Sequence, residues 1–206
     1  MTGFIGSGKD TIADYLTTFH GFKRISFAGT LKDAISAVFG WDRDLLEGTT
    51  KSSREWREQV DEWWAKRLDM PNLTPRWVLQ QWGTEVCRNS FHNDIWVASV
   101  ENQLRKTTDN IVITDCRFSN EIKAIKNAGG ITIRVNRGDL PSWHSDAVLL
   151  NKGETAIGWA IAKHKLKELR IHASEYSSVG LDYDHYINND GSIDDLHKKI
   201  ASIINF

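Results

Sequence analysis

The stretch Gly3-Phe4-Ile5-Gly6-Ser7-Gly8-Lys9-Asp10-Thr11 constrains this chain more than any other. Gly3 and Gly8 stand five residues apart with Lys9 next, the spacing of a phosphate-binding loop that feeds directly into a helix. Glycines let the backbone curl until successive N–H groups point into one concavity. That concavity opens at a helix N-terminus, where unpaired donors and the helix dipole favour anions. Lys9 is then placed to reach the β- and γ-phosphates of a nucleotide. The usual next residue is Ser or Thr, whose hydroxyl binds Mg²⁺; here it is Asp10, followed by Thr11. Gly3, Ile5, Gly6, Ser7, Gly8, Lys9, Asp10 and Thr11 are therefore candidate nucleotide contacts, with Asp10 also a candidate metal ligand. The alternative is a Gly-rich turn before an ordinary helix.

Such a loop normally follows a buried strand, and here only Met1 and Thr2 precede it. Losing about five buried residues at ~1.5–3 kcal/mol each forfeits ~10 kcal/mol. That rivals the ~5–15 kcal/mol net stability of a whole domain. The expectation is a truncated first strand, with Met1 an internal methionine of a longer reading frame, unless another segment fills the gap.

A length of 206 residues suits one domain with inserted subdomains, and 40% hydrophobic residues are enough for a sizeable core. A net charge of −1 provides no global basic field to recruit a nucleic acid polymer or a membrane surface. Cys87 and Cys116, the two cysteines, fit a reducing cytoplasm better than a disulfide scaffold. No signal peptide and no long apolar run is visible.

Along the chain, Ile12, Ala13 and Leu16 share a face of the helix that begins near Lys9 and ends at Gly21. Residues 23–28 read as a strand. Leu31, Ala34, Ile35, Val38 and Phe39 form an amphipathic helical stripe closed by Gly40. Residues 41–106 read as an all-helical insertion. Ser52 and Glu55 have capping-box spacing before a stripe of Trp56, Val60 and Trp63. Thr74 caps a helix with Pro75 at its first position, running through Val78, Leu79, Trp82 and Val86. Asp94 starts a third, through Val97, Val100 and Leu104. Most of the nine tryptophans lie in this insertion and read as core packing, with one or two free to line a base cleft.

Ile111-Val112-Ile113-Thr114, ending in Asp115, has the apolar continuity of a buried parallel strand. A helix over 119–127 ends at Gly129-Gly130, and 131–135 is the next strand. Residues 137–180 form a second, lid-like insertion, helical around 156–169. Strand 185–187 leads to the tight turn Asn189-Asp190-Gly191, and Ser192 caps a helix carrying Ile193, Leu196, Ile200 and Ile203. Strands alternating with helices imply an α/β fold with a parallel sheet. Ligands in such sheets bind beyond the carboxyl ends of the strands, where the loop, Asp115 and the 189–192 turn all fall.

Asp115 stands where a strand-end carboxylate holds Mg²⁺, or is a simple turn residue. Arg117 could grip a transferring phosphoryl group, or pair with Glu121. Arg134 and Arg137 flank the end of the next strand, and Arg137 enters the second insertion, where a closing lid presents cations to a triphosphate. The run Lys163, His164, Lys165, Lys167 and Arg170 reads first as a solvated face. Arg76 and Gln80 share a helix face, as do Gln80 and Thr84, and with Gln81 they could hold a monophosphate and a base edge. An exposed helix surface is the alternative. Lys32 and Arg88 are candidates of the same kind.

These residues bring a family into view. Gly6-Ser7-Gly8-Lys9-Asp10-Thr11 resembles the P-loop of bacteriophage deoxynucleoside monophosphate kinases, where Asp after the lysine is usual. Further segments resemble that family in the same order: Ile25-Ser26-Phe27-Ala28, Phe39-Gly40-Trp41-Asp42, Arg54-Glu55-Trp56-Arg57, Thr74-Pro75-Arg76, Gly83-Thr84-Glu85, Asp115-Cys116-Arg117-Phe118, and His172 with Ser174-Glu175. The ending Asn188-Asn189-Asp190-Gly191-Ser192 is similar to nucleotide kinases more widely, where the turn lies near the adenine of ATP; that implies Asn189 and Gly191 as cofactor contacts. The resemblance implies a three-layer α/β/α P-loop fold with a five-stranded parallel sheet. It implies Mg²⁺-dependent phosphoryl transfer from ATP to deoxynucleoside monophosphates, often by a homodimer, in the cytoplasm of the host if phage-encoded. Lys9, Asp115, Arg117 and Arg137 are then the catalytic set, and Lys32, Arg76, Gln80, Gln81, Thr84 and Arg88 the acceptor set. A dephospho-coenzyme A kinase-like enzyme and a nucleotide-binding module without chemistry are the competing readings.

Overall fold

A computed structural model describes residues 1–153 and 155–204; Glu154, inside the 137–180 insertion, lies outside the described residues. The chain divides into two compact units, Met1–Ser26 with Leu104–Phe206, and Phe27–Gln103.

In the first unit the strands are short and parallel. β1 (Lys23–Arg24) pairs with β2 (Ile111–Val112), and β3 (Ile133–Asn136) with β4 (His185–Asn188). Met1 and Thr2 lie between these pairs. The Met1 amino group donates to the carbonyl of Ile113 at 2.5 Å, and Thr2 forms a parallel bridge with Arg134. Thr2 N–H donates to the Ile133 carbonyl at 2.9 Å, and the Thr2 carbonyl accepts from Val135 N–H at 2.9 Å. So Met1 and Thr2 alone stand where such a loop normally follows a full strand, as the expectation of a truncated strand has it, and the loop springs from there.

The apolar residues of α1 (Lys9–Phe19) and α12 (Ile193–Ile204) close over these strands. Ile12, Ala13, Leu16, Leu196 and Ile200 form one buried cluster with Met1, Val112, Ile133, Val135 and Ile187. Each fully buried aliphatic chain there contributes ~1.5–3 kcal/mol. Ile193, expected on the same stripe, is exposed. α8 spans Ser119–Asn127 as expected.

The strand expected over 23–28 pairs only at its start, because after Ile25 N–H donates to Val112 the chain turns away and Ser26 bonds Asp115 by its side chain. The strand expected over 131–135 begins two residues later, at Ile133, leaving Ile131 exposed. The 137–180 segment holds α9 (His144–Lys152), absent from the sequence reading, then α10 (Ala156–Glu168) and the short α11 (Ala173–Tyr176). Lys165 pairs with Asp146 at 3.2 Å and His164 lies against Glu168, so this basic run is an exposed face tied to its own helices.

The second unit is helical: α2 (Gly29–Phe39), α3 (Arg43–Glu47), α4 (Lys51–Arg57), α5 (Glu62–Leu68), α6 (Pro75–Gln80) and, across its boundary, α7 (Ile95–Leu104). Gly40 closes α2 in the left-handed region, as its position implies. The buried face of α2 is Leu31, Lys32 and Ile35, while Ala34 and Val38 of the expected stripe face solvent. The expected capping box at Ser52 and Glu55 is displaced. Thr50 caps α4 reciprocally with Ser53, each side chain accepting the other's backbone N–H. One continuous helix through Trp56, Val60 and Trp63 does not form. Asp61 restarts the chain as the N-cap of α5, accepting from Trp64 N–H at 3.0 Å and from the Trp41 indole at 2.7 Å. That reset of phase leaves Val60 and Trp63 exposed. Thr74 caps α6 with Pro75 first, as read from sequence.

From Gln81 to Phe91 the chain continues as a π-helix. Its i→i+5 bonding lays residues five apart over one another, so the 3.6-residue face counted from Gln80 is lost. Gly83 sits so close to α2 that a Cβ there would lie 2.8 Å from Leu31 Cδ2, and its carbonyl accepts from the Trp96 indole at 2.8 Å. Phe39 stacks on Trp41 with centroids 4.4 Å apart and touches Trp64 and Trp82, the packing role expected for most of these indoles. Among the described residues no helix is long and apolar enough to cross a membrane.

Candidate functional site

The 3–8 loop is held from both sides by atoms that leave no room for a side chain. Gly3 has φ +145°, and a Cβ would come within 2.3 Å of the Val135 carbonyl oxygen. Gly8 has φ +104°, and a Cβ would meet Asn189 Nδ2 at 2.4 Å. Both positions thus require glycine for conformation and for space. Gly8 is also the N-cap of α1 and makes no side-chain cap, so the first turn presents its donors uncovered. Ser7 is buried and its N–H donates to the Phe4 carbonyl at 3.1 Å, while Ile5 is exposed.

Lys9 folds back over this loop. Its Nζ donates to the Phe4 carbonyl at 2.9 Å and to Ser7 Oγ at 3.3 Å. Burial lowers its pKa from 10.5 to about 8, and the charges of Arg117 and Arg134 push the same way against Asp10 and Glu175. An ammonium so crowded by cations gains from any anion brought to the loop.

The two carboxylates proposed for metal are differently placed. Asp115 follows β2 and accepts from Ser26 Oγ at 2.6 Å. Asp10 is paired with the guanidinium of Arg24 and accepts from Thr114 Oγ1 at 3.2 Å. Mg²⁺ takes one or two carboxylates and completes its shell with water and substrate phosphates, so Asp115 fits that demand. Asp10 does not fit it equally, because Arg24 already neutralises its charge. Thr11 lies half-buried in the first turn of α1.

The loop after Asp115 is shaped by Glu121, a fully buried carboxylate at the start of α8. It accepts from the backbone N–H groups of Arg117 at 2.7 Å and Phe118 at 3.1 Å. Glu121 therefore serves the backbone of Arg117, and the alternative reading, a pair between Glu121 and the Arg117 guanidinium, does not form. The Arg117 guanidinium instead bonds the Ser174 carbonyl at 3.0 Å and pairs with Glu175 at 3.1 Å, both in α11. Arg137 is exposed and, among the described residues, has no hydrogen bond or ion pair to hold it at the loop.

Asn189 comes to the loop by an unexpected route. Its buried amide donates to the Ser7 carbonyl at 2.9 Å, so it clamps the cradle from the end of β4. Gly191 lies at the start of α12, where Ser192 and Asp195 cap each other.

In the helical unit, Arg76 pairs with Glu58 at 3.2 Å, and Gln80 and Gln81 are half-buried. Thr84 is buried in the π-helix, so it does not share an open face with Gln80 as the α-helical spacing implied. Arg88 is buried and donates to the Asn93 carbonyl at 3.0 Å. Lys32 is buried against Glu47 at 2.6 Å, in a chain continued by Arg43 to Asp33. Arg24 escaped the sequence reading, and Ser26, Glu121 and Glu175 entered it without the partners seen here, since each acts on a residue distant in sequence or on backbone.

Comparison with known proteins shows the family to which the chain is similar. The family model described as deoxynucleotide monophosphate kinase matches residues 53–153. A protein of Acanthamoeba polyphaga mimivirus, provisionally named a deoxynucleotide monophosphate kinase, is 31% identical over 156 residues, covering 69% of this chain and 75% of its own length. The mixed helices and short parallel strands suit a nucleotide kinase, and the chain belongs to the deoxynucleotide monophosphate kinase family.

Proposed function

We propose that this chain transfers the γ-phosphoryl group of ATP to a deoxynucleoside monophosphate, giving ADP and the deoxynucleoside diphosphate. The observation that carries the reading is Lys9 folded onto a glycine loop at the uncapped start of α1. Gly3, Ile5, Gly6, Ser7, Gly8 and Thr11 line the donor cradle, in a P-loop three-layer arrangement. Asn189 fixes its shape, and Gly191 marks the adenine side. The acceptor is held in the 27–103 unit by Arg76, Gln80 and Gln81, while Thr84, Arg88 and Lys32 keep the supporting helices in place.

Asp115 is the residue that would hold Mg²⁺, which neutralises phosphate charge when bound. Asp10 acts with Arg24 as an anchor of α1. Lys9 and Arg117 meet the charge that spreads over the transferring group, and the attacking oxygen is that of the acceptor phosphate, so no protein nucleophile is required. Arg137 joins from the 137–180 segment on closure.

The test is product identification with ATP and Mg²⁺, offering each of four deoxynucleoside monophosphates and dephospho-coenzyme A. A diphosphate from at least one deoxynucleotide supports the reading. Phosphorylation of dephospho-coenzyme A alone, or ATP binding without any product, overturns it in favour of the corresponding rival.

A further inference from the structure

Arg134 lies in β3 and is 5% exposed. For a buried guanidinium it has long hydrogen bonds and no counter-charge among the described residues. Its Nη1 reaches the Ser178 carbonyl at 3.5 Å and Ser178 Oγ at 3.4 Å, and its Nε reaches Asn136 Oδ1 at 3.4 Å. All three lie at the long limit of a hydrogen bond. Among the described residues no carboxylate is within ion-pair distance of it. Tyr183, beside it, also hydrogen-bonds the guanidinium, but as a neutral phenol, its own O–H donated to the Ser178 carbonyl at 2.5 Å, it supplies no counter-charge.

The guanidinium faces the loop. Its carbon lies 4.9 Å from the ring centre of Phe4, the residue whose carbonyl holds Lys9. Trp143 meets the same ring edge-on at 5.6 Å, and His144 stands at 6.3 Å. The Arg134 charge is felt by its neighbours: after burial, it depresses the His144 pKa, and it adds to the depression at Lys9. A ring face offsets part of the desolvation of a cation but does not replace a counter-ion. A buried cation short of a counter-ion next to an open anion cradle is completed by an anion.

We propose that Arg134 is a nucleotide-phosphate-binding residue, its guanidinium reaching the phosphates at the 3–11 loop across the face of Phe4. The identity of the anion rests on the kinase reading above; the anion site itself rests on the geometry of Arg134. The phosphate belongs either to the donor or to the acceptor nucleotide, and kinetics separate the two.

The experiment compares the full chain with its Arg134→Met and Arg134→Lys variants. Thermal unfolding is followed with and without inorganic tripolyphosphate, and KM is measured for ATP and for each deoxynucleoside monophosphate. The Met variant is expected to melt no lower than the wild type without anion and to lose most of the anion-induced rise. Its KM for the nucleotide concerned should rise about 10- to 100-fold, the worth of one charged hydrogen-bonding group, with Lys restoring part. A rise confined to ATP assigns the donor; one confined to the monophosphate assigns the acceptor. An arginine that merely supports the fold would give a lower melting temperature with the full anion-induced rise and unchanged KM values, and that result overturns the proposal. Should the Met variant not fold, the Lys variant decides: it keeps the charge but loses the fork, and wild-type anion response and KM in it overturn the proposal. Loss of the anion response in a chain whose wild type phosphorylates no deoxynucleotide would sink the kinase reading and leave the anion site standing.

Discussion

The side-chain amide of Asn189 donates to the backbone carbonyl of Ser7 at 2.9 Å, across 182 residues of sequence. The bond is buried, and it closes the phosphate cradle from the far end of the chain. Replacing Asn189 by Ala leaves that carbonyl without its donor and opens space beside Gly8. The expected cost is about 1–3 kcal/mol of stability, read by urea unfolding, with a raised KM for ATP. Unchanged stability together with unchanged KM would show the clamp to be dispensable.

Asp10 is paired with Arg24 and accepts from Thr114, and the proposed reading makes it an anchor of α1 rather than a metal ligand. Asp10→Asn is therefore expected to preserve the Mg²⁺ concentration giving half-maximal activity, whereas Asp115→Asn raises it at least tenfold. The pair is largely exposed, so Asp10→Asn should alter stability by no more than ~1 kcal/mol. A strong shift in Mg²⁺ demand from Asp10→Asn would restore it as a metal ligand.

Glu121 holds the turn that carries Arg117, with its carboxylate on two backbone N–H groups. Glu121→Ala removes the carboxylate from two part-buried donors, at about 1–3 kcal/mol in all. Denaturant unfolding should show that loss, and kcat should fall because Arg117 loses its fixed start. Full kcat in a destabilised variant would separate Glu121 from the position of Arg117.

Lys9 gives a pH signature. Burial lowers its pKa from 10.5 to about 8 in the unliganded fold. Between those values the unfolded chain keeps the proton that the folded chain has released, so stability rises with pH across this window. The rise should be missing from Lys9→Met, seen as converging pH profiles of wild type and variant between pH 8 and 10.5. Because phosphate needs the ammonium, kcat/KM for ATP should fall as pH rises through about 8. Parallel stability profiles would contradict the buried placement of Lys9.

The parts that could be read in advance are those with local causes. Helix α1 starts at Lys9, α8 spans Ser119–Asn127, and Thr74 with Pro75 opens α6, because each depends on residues within one turn. The break at Asp61 was missed since Trp56, Val60 and Trp63 satisfy a helical period, and the cap that resets the phase also serves Trp41, twenty residues away. The π-helix escaped for a similar reason. Its register depends on Gly83 closing onto Leu31 and on the indole of Trp96. At the candidate site the loop and Asp115 stood out as motifs, Ser26 and Glu175 stood only within segments that resemble the family, their partners unread, and Arg24 gave no signal. Those three matter only through partners brought near by the fold.

The central claim is tested most directly by following ADP formation from ATP and Mg²⁺ with a panel of deoxynucleoside monophosphates, in the wild type and in Lys9→Met. The expected result is turnover by the wild type on at least one acceptor, and none by a variant whose melting temperature shows that it is folded. Equal turnover by the two proteins, or ATP bound but never spent on any acceptor, would contradict it.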